Sequence, residues 1–154
     1  MRPFGNMAYR VPTAEVLSAA VAAAIKDMNV VGSQRRLTEL VRSELQRIDP
    51  RYGVTEERVR RTAINAGLVK VTVESRDTGR RKRVVTCPVC GSRLKRVRNR
   101  TIAGGTVTIG KKCPLCPFRM GTTRRVPVRY EFANAHPRRY SFKRDEQRTL
   151  WSGP

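Results

Sequence analysis

Cys87-Pro-Val-Cys90-Gly91 and Cys113-Pro-Leu-Cys116-Pro117, with 22 residues between Cys90 and Cys113, hold all four cysteines of the chain. A Cys-x-x-Cys turn lets two thiolates reach one ion while nearby backbone N–H groups steady the sulfurs. Two such turns fill a tetrahedral shell and leave no position for water. The pattern implies one structural Zn²⁺ bound by Cys87, Cys90, Cys113 and Cys116. A proline inside each turn and Gly91 after the first suit tight knuckles, although the separation of the pairs is slightly longer than the usual zinc template. A disulfide framework would need an oxidising compartment, and the opening Met1-Arg-Pro-Phe-Gly-Asn6 offers no apolar signal core. A redox Cys-x-x-Cys normally occurs once, opening a helix after a strand, whereas both pairs here lie in Arg-rich, strand-like sequence. His136, the one histidine, stands apart from the cysteines, which need no fifth ligand.

The same stretch is the electrostatic centre of a 154-residue chain with a formal charge of +21. Residues 1–48 carry 7 basic and 4 acidic side chains, 49–86 carry 10 and 5, 87–131 carry 11 and 1, and 132–154 carry 5 and 2. Charge this far from neutral says little about fold and much about partners, since it raises both capture rate and affinity for a polyanion. Nucleic acid is the leading candidate, ahead of an anionic membrane surface. No apolar run approaches bilayer length, because the alanine-rich stretch Val16 to Ile25 runs straight into Lys26 and Asp27. A cytoplasmic protein is expected.

Upstream of the cysteines the hydrophobic period is helical. Val16, Leu17, Ala20, Val21, Ala24, Ile25 and Met28 recur at helix spacing after Thr13, a natural N-cap. Ser33 caps a second helix with the stripe Leu37, Leu40, Val41, Leu45 and Ile48, closed by Pro50 and Gly53. Thr55 caps a third, with Glu56 and Glu57 in its first turn, Val59, Ala63 and Ala66 on its apolar side and Gly67 as its stop. The period then becomes alternating, and Leu68, Val69, Val71 and Val73 are expected to face Val84 and Val85 across the turn Asp77-Thr78-Gly79.

Three helices followed by a basic hairpin resemble a winged helix. The resemblance covers about residues 13–86 and implies that the third helix reads nucleic acid while Arg76, Arg80, Arg81, Lys82 and Arg83 sit on the wing. Arg58, Arg61, Thr62 and Asn65 lie at offsets that let them project opposite Val59 and Ala63. Arginine can contact guanine bidentately and asparagine adenine, so such a face could enter a groove; the plain alternative is a solvated face. The run Arg80 to Arg83 is expected to contact phosphates.

Between the knuckles, Arg93, Lys95, Arg96, Arg98 and Arg100 alternate in part with Leu94, Val97 and Ile102. Gly104-Gly105 then turns the chain into Thr106-Val107-Thr108-Ile109, ahead of Lys111 and Lys112. A third strand is expected over Arg124 to Phe132, which includes Arg125. With the Cys-Pro-x-Cys-Gly turn, this segment resembles a zinc ribbon, a small three-stranded sheet with metal knuckles at one end. Zinc ribbons occur in ribosomal proteins, transcription factors and nucleic-acid enzymes, so the fold alone selects no function.

The expected organisation is α+β: a basic extension over 1–12, a winged-helix-like domain with a β-hairpin wing over 13–86, a zinc ribbon over 87–132 and a basic aromatic extension over 133–154. The extensions mix arginine, including Arg138 and Arg139, with Phe4, Tyr9, Tyr140, Phe142 and Trp151. In ribosomal proteins such tails thread between RNA helices, where arginine neutralises phosphate and rings stack on bases. With its winged-helix-like N-terminal part, the chain resembles archaeal-type basic zinc-ribbon nucleic-acid-binding proteins, ribosomal or ribosome-associated. The expectation is a non-enzymatic protein that binds RNA, above all rRNA within a ribosomal subunit. A DNA-binding transcription or chromatin factor is the alternative. The few acids sit mostly at helix starts and turns, with no catalytic cluster, so neither an enzyme nor a small-molecule site is expected.

Overall fold

The computed structural model describes residues 8–137. Three helices form from the three caps the sequence supplies. Thr13 Oγ1 accepts from Val16 N at the start of α1 (Ala14–Ile25), Ser33 Oγ from Arg36 N at α2 (Gln34–Ile48), and Thr55 Oγ1 from Arg58 N at α3 (Glu56–Asn65). Each bond satisfies one of the N–H groups that a helix start leaves without an internal partner. The helices bury Leu17, Val21 and Ile25 against Leu37, Val41, Leu45, Val59 and Ala63. Two stripe positions differ from expectation. Ile48, in the last turn of α2, faces solvent, and α3 buries Ile64 where Ala66 was expected.

The strands are β1 (Val30–Val31), β2 (Val69–Asp77), β3 (Lys95–Arg100), β4 (Thr106–Lys112), β5 (Arg119–Met120) and β6 (Arg125–Asn134). They form two three-stranded antiparallel sheets, ordered β1-β6-β2 and β3-β4-β5. The described residues thus form a mixed α/β structure with three helices, two small sheets and a cysteine cluster.

Two expected pairings are corrected by this topology. Val84 and Val85 do not return along β2; Val85 O instead accepts from Leu94 N at the entrance to the first knuckle. The strand expected to complete the ribbon, 124–132, lies in the helical body's sheet beside β2. The physical reason is burial: β6 supplies Tyr130 and fully buried Phe132 opposite Val73 and Val71, a longer apolar match than two valines after an Arg-Arg-Lys-Arg run. Pro127, which has no N–H to give to a ladder, sits at a register shift where Val128 is the extra, exposed residue. The third strand of the sheet beside the cysteines is the short β5.

The turn at Asp77-Thr78-Gly79 therefore opens an insertion between β2 and β6. Its base is tied by Thr78 N and Oγ1 to Arg124 O, by Arg124 N to Arg80 O, and by Thr123 Oγ1 to Asp77 Oδ2 at 2.7 Å. Hydrogen bonds to Asp77, first from Gly79 N and then from Thr123, hold its carboxyl below the usual aspartate range. At the other end of β6, Asn134 Nδ2 donates to Ile25 O and Met28 O, capping the C-terminus of α1. Two residues of the expected N-terminal extension are bound in: Arg10 exchanges backbone hydrogen bonds with Arg51 and Gly53, and Pro12 is buried.

Phe132 links sheet and helices, so Phe132→Ala is expected to cost about 3–5 kcal/mol. Chemical denaturation checks this; a loss within experimental error would mean that β6 is not the strand that closes the core.

Candidate metal centre and nucleic-acid interface

All four cysteines are buried, and their sulfurs lie within 4.8 Å of one another. Cys87 Sγ is 3.4 Å from Cys116 Sγ, and Cys90 Sγ is 3.4 Å from Cys113 Sγ. A disulfide requires about 2.05 Å, whereas four sulfurs each about 2.3 Å from one ion stand a little under 4 Å apart. The geometry fits a tetrahedral thiolate site, which can hold a metal ion such as zinc.

Local sequence builds each knuckle. Val89 N donates to Cys87 Sγ and Leu115 N to Cys113 Sγ, both at 3.4 Å. Cys87 N to Ser92 O and Cys113 N to Phe118 O close the two turns, and Gly91 (φ +79°) adopts the left-handed backbone that the first requires. Val89, Leu94, Phe118 and Met120 are buried with the four cysteines in one apolar cluster continuous with the main core. Gly110 is forced by packing, since a Cβ there would stand 2.5 Å from Met120 O of the neighbouring strand.

Four thiolates this close repel one another unless a cation lies among them. With protons alone, the hydrogen bond from Cys116 holds Cys87 down, to about 5, while that same bond and then burial push Cys116 up. Burial also raises Cys113. A divalent ion removes the conflict, releasing protons as it binds.

The knuckle is gripped from the helical body by a residue that sequence reasoning missed. Arg60 on α3 is only 7% exposed. Its Nε donates to Val89 O at 2.7 Å and Nη2 to Pro88 O at 3.2 Å, while Nη1 donates to Gln34 Oε1. Its guanidinium lies 4.7 Å from the centre of the Tyr130 ring, whose phenol is pushed up chiefly by burial. The signal was present: Ala63 and Ile64, at i+3 and i+4, place Arg60 on the buried side of α3.

The other α3 residues expected to read bases are partly committed elsewhere. Arg58 Nη2 donates to Pro12 O at 2.6 Å, and Arg61 pairs with Glu57 at 2.6 Å. Asn65 is exposed. The insertion is different in kind. The 47 residues from Thr78 to Arg124 contain thirteen Lys and Arg and no Asp or Glu. Arg80, Arg81, Lys82 and Arg124 gather with Arg76 and Asp77 around an open recess of about 570 Å³. Arg83, Arg93, Arg96, Arg98 and Lys111 surround a second, of about 250 Å³. Lys111 Nζ also donates to Val84 O, Arg125 Nη2 donates to Ser75 O, and Lys95, Arg100 and Lys112 are exposed on the ribbon strands. Among the described residues, the cations of the insertion form no ion pair; those found lie between Arg10 and Arg61. Arg138 and Arg139 lie outside the described residues, as do the tail aromatics Phe4, Tyr140, Phe142 and Trp151.

No family profile matches the chain, and neither does any curated protein or solved structure. No helix among the described residues is long and apolar enough to cross a membrane.

Two outcomes are expected. Cys113→Ser loses bound metal and unfolds the ribbon, read by elemental analysis and amide hydrogen exchange; full metal content in that variant contradicts the site. Arg60→Met leaves the Pro88 and Val89 carbonyls without their donor and speeds metal loss to a chelator by about tenfold or more. An unchanged rate would show that α3 does not support the knuckle.

Proposed function

We propose that this chain is a winged-helix-like body whose wing is extended by an inserted zinc ribbon, and that it binds structured RNA through phosphates, as an architectural protein without catalytic activity. The winged-helix reading is supported by the element order α1-β1-α2-α3-β2-β6 and the sheet order β1-β6-β2. The zinc reading is supported by the all-cysteine donor set, whose soft thiolates suit that ion. Rigid attachment matters because flexible arginines lose more entropy on binding than arginines already fixed on a metal-clamped sheet.

The observation that carries the function is the insertion itself: thirteen cations and no acid on one connected segment, nine of them lining two open recesses, with Asp77 at the segment's base the one carboxylate among the lining residues. Such a surface repels itself and is neutralised by a polyanion. RNA is favoured over a sequence-read DNA operator because the reading helix has Arg58 and Arg61 engaged within the protein. Recognition by shape and backbone needs no free reading helix. The charge spread over the chain suits residence in an RNA-rich particle, with rRNA of a ribosomal subunit as the partner and the cytoplasm as the compartment.

Affinity for a folded RNA should fall steeply with salt. About six phosphate contacts would give a log–log slope of roughly −4 to −5. Replacing Arg80, Arg81 and Arg83 with alanine should weaken binding alike for all RNA sequences and reduce the slope by about 2–3. If instead Arg58→Ala with Arg61→Ala abolished a DNA sequence preference while general affinity stayed constant, the DNA-regulator alternative would replace this reading.

A further inference from the structure

The β3–β4 hairpin ends in an apolar side chain with nothing to pack against. Ile102 is fully exposed at the tip of the hairpin, two residues beyond Arg100, while Val107 and Ile109 on β4 are about half exposed. Its turn is locked. Thr101 N donates to Gly105 O at 2.8 Å, Gly104 N to Thr101 O at 3.0 Å, and Gly105 N to Thr101 Oγ1 at 3.0 Å. Gly104 (φ +84°) supplies the left-handed step that this closure needs. Ile102 is therefore held on a hydrogen-bonded tip.

The strand register shows what flanks it. Arg100 pairs with Thr106, Arg98 with Thr108 and Arg96 with Lys111, so these residues share one face of the hairpin. That face runs to the second basic recess, where Arg83 and Arg93 join it. One face is a cationic track about three arginines long, and the isoleucine stands at its end.

We propose that the hairpin enters a groove of the bound RNA, with Arg96, Arg98 and Arg100 along the phosphates and Ile102 inserted against a weakly stacked base at a bulge or loop. The inference rests on the RNA-binding reading and adds the feature of the RNA that is recognised. Charge complementarity selects this occupant: an apolar protein surface would have to approach across a field of cations. Ile102, even with the half-exposed Val107 and Ile109 of β4, also falls far short of the roughly 800 Å² per partner that a stable protein interface buries. A single aliphatic wedge matches one base step, as in proteins that insert isoleucine or leucine into a stack and kink the nucleic acid.

The test uses the full chain and two short RNA hairpins, one fully paired and one with a single bulged nucleotide, each carrying 2-aminopurine beside that position. Wild-type protein should bind the bulged RNA more tightly and raise its fluorescence by unstacking the reporter. Ile102→Ala, which removes no core contact and should retain its metal, should lose that rise and bind the bulged RNA about five- to tenfold more weakly. It should bind the paired RNA as wild type does, with the same salt slope, and Ile102→Leu should restore the signal. Equal fluorescence and affinity for wild type and Ile102→Ala would overturn the wedge while leaving RNA binding intact. Absence of salt-dependent binding to either RNA would overturn the RNA reading and the wedge with it.

Discussion

Ion pairs cannot hold in place a 47-residue segment that contains thirteen cations and no anion. Its own electrostatics favour expansion, and a sheet as small as β3-β4-β5 buries too little apolar surface to resist alone. What anchors it is sulfur and carbonyl oxygen. Four buried cysteine sulfurs draw the two knuckles to one point, and Arg60 reaches from α3 to the carbonyls of Pro88 and Val89. A metal among the sulfurs converts the most repulsive cluster of the fold into its tightest. Because Arg60 also lies over Tyr130 of β6, the first cysteine knuckle, α3 and the central strand meet at one guanidinium.

The placement of the insertion follows from the same constraint. Emerging between β2 and β6, it leaves and returns through Thr78 and Arg124, which hydrogen-bond to each other. Both ends are thereby fixed to a strand pair of the helical core, and the cations face outward from a rigid base. On the proposed reading, the helical body contributes stiffness more than sequence recognition. Its exposed charges are partly neutralised by internal pairs such as Arg61–Glu57 and Arg10–Asp49, whereas those of the insertion form no ion pair among the described residues.

The parts of this structure that were legible in the sequence are those fixed by short-range chemistry. Thr13, Ser33 and Thr55 act as caps because a side-chain oxygen needs only to reach an N–H three residues on. The four cysteines share a site because each pair is set by its own turn. Strand pairing was not legible in the same way. Asp77-Thr78-Gly79 does turn the chain, but a turn signal does not say how far away the partner strand lies, and β6 returns only after the whole insertion. The strand expected beside the cysteines is the one that pairs with β2. Arg60 was missed because arginine is ordinarily a surface residue, and its burial depends on carbonyls 28 and 29 positions further along.

Sedimentation of the native protein through a gradient of host lysate at moderately high salt, with a DNase-treated control, tests the central claim most directly. The account predicts co-migration with one ribosomal subunit, insensitive to DNase. Recovery at the top of the gradient, or with nucleoprotein that DNase destroys, would contradict it.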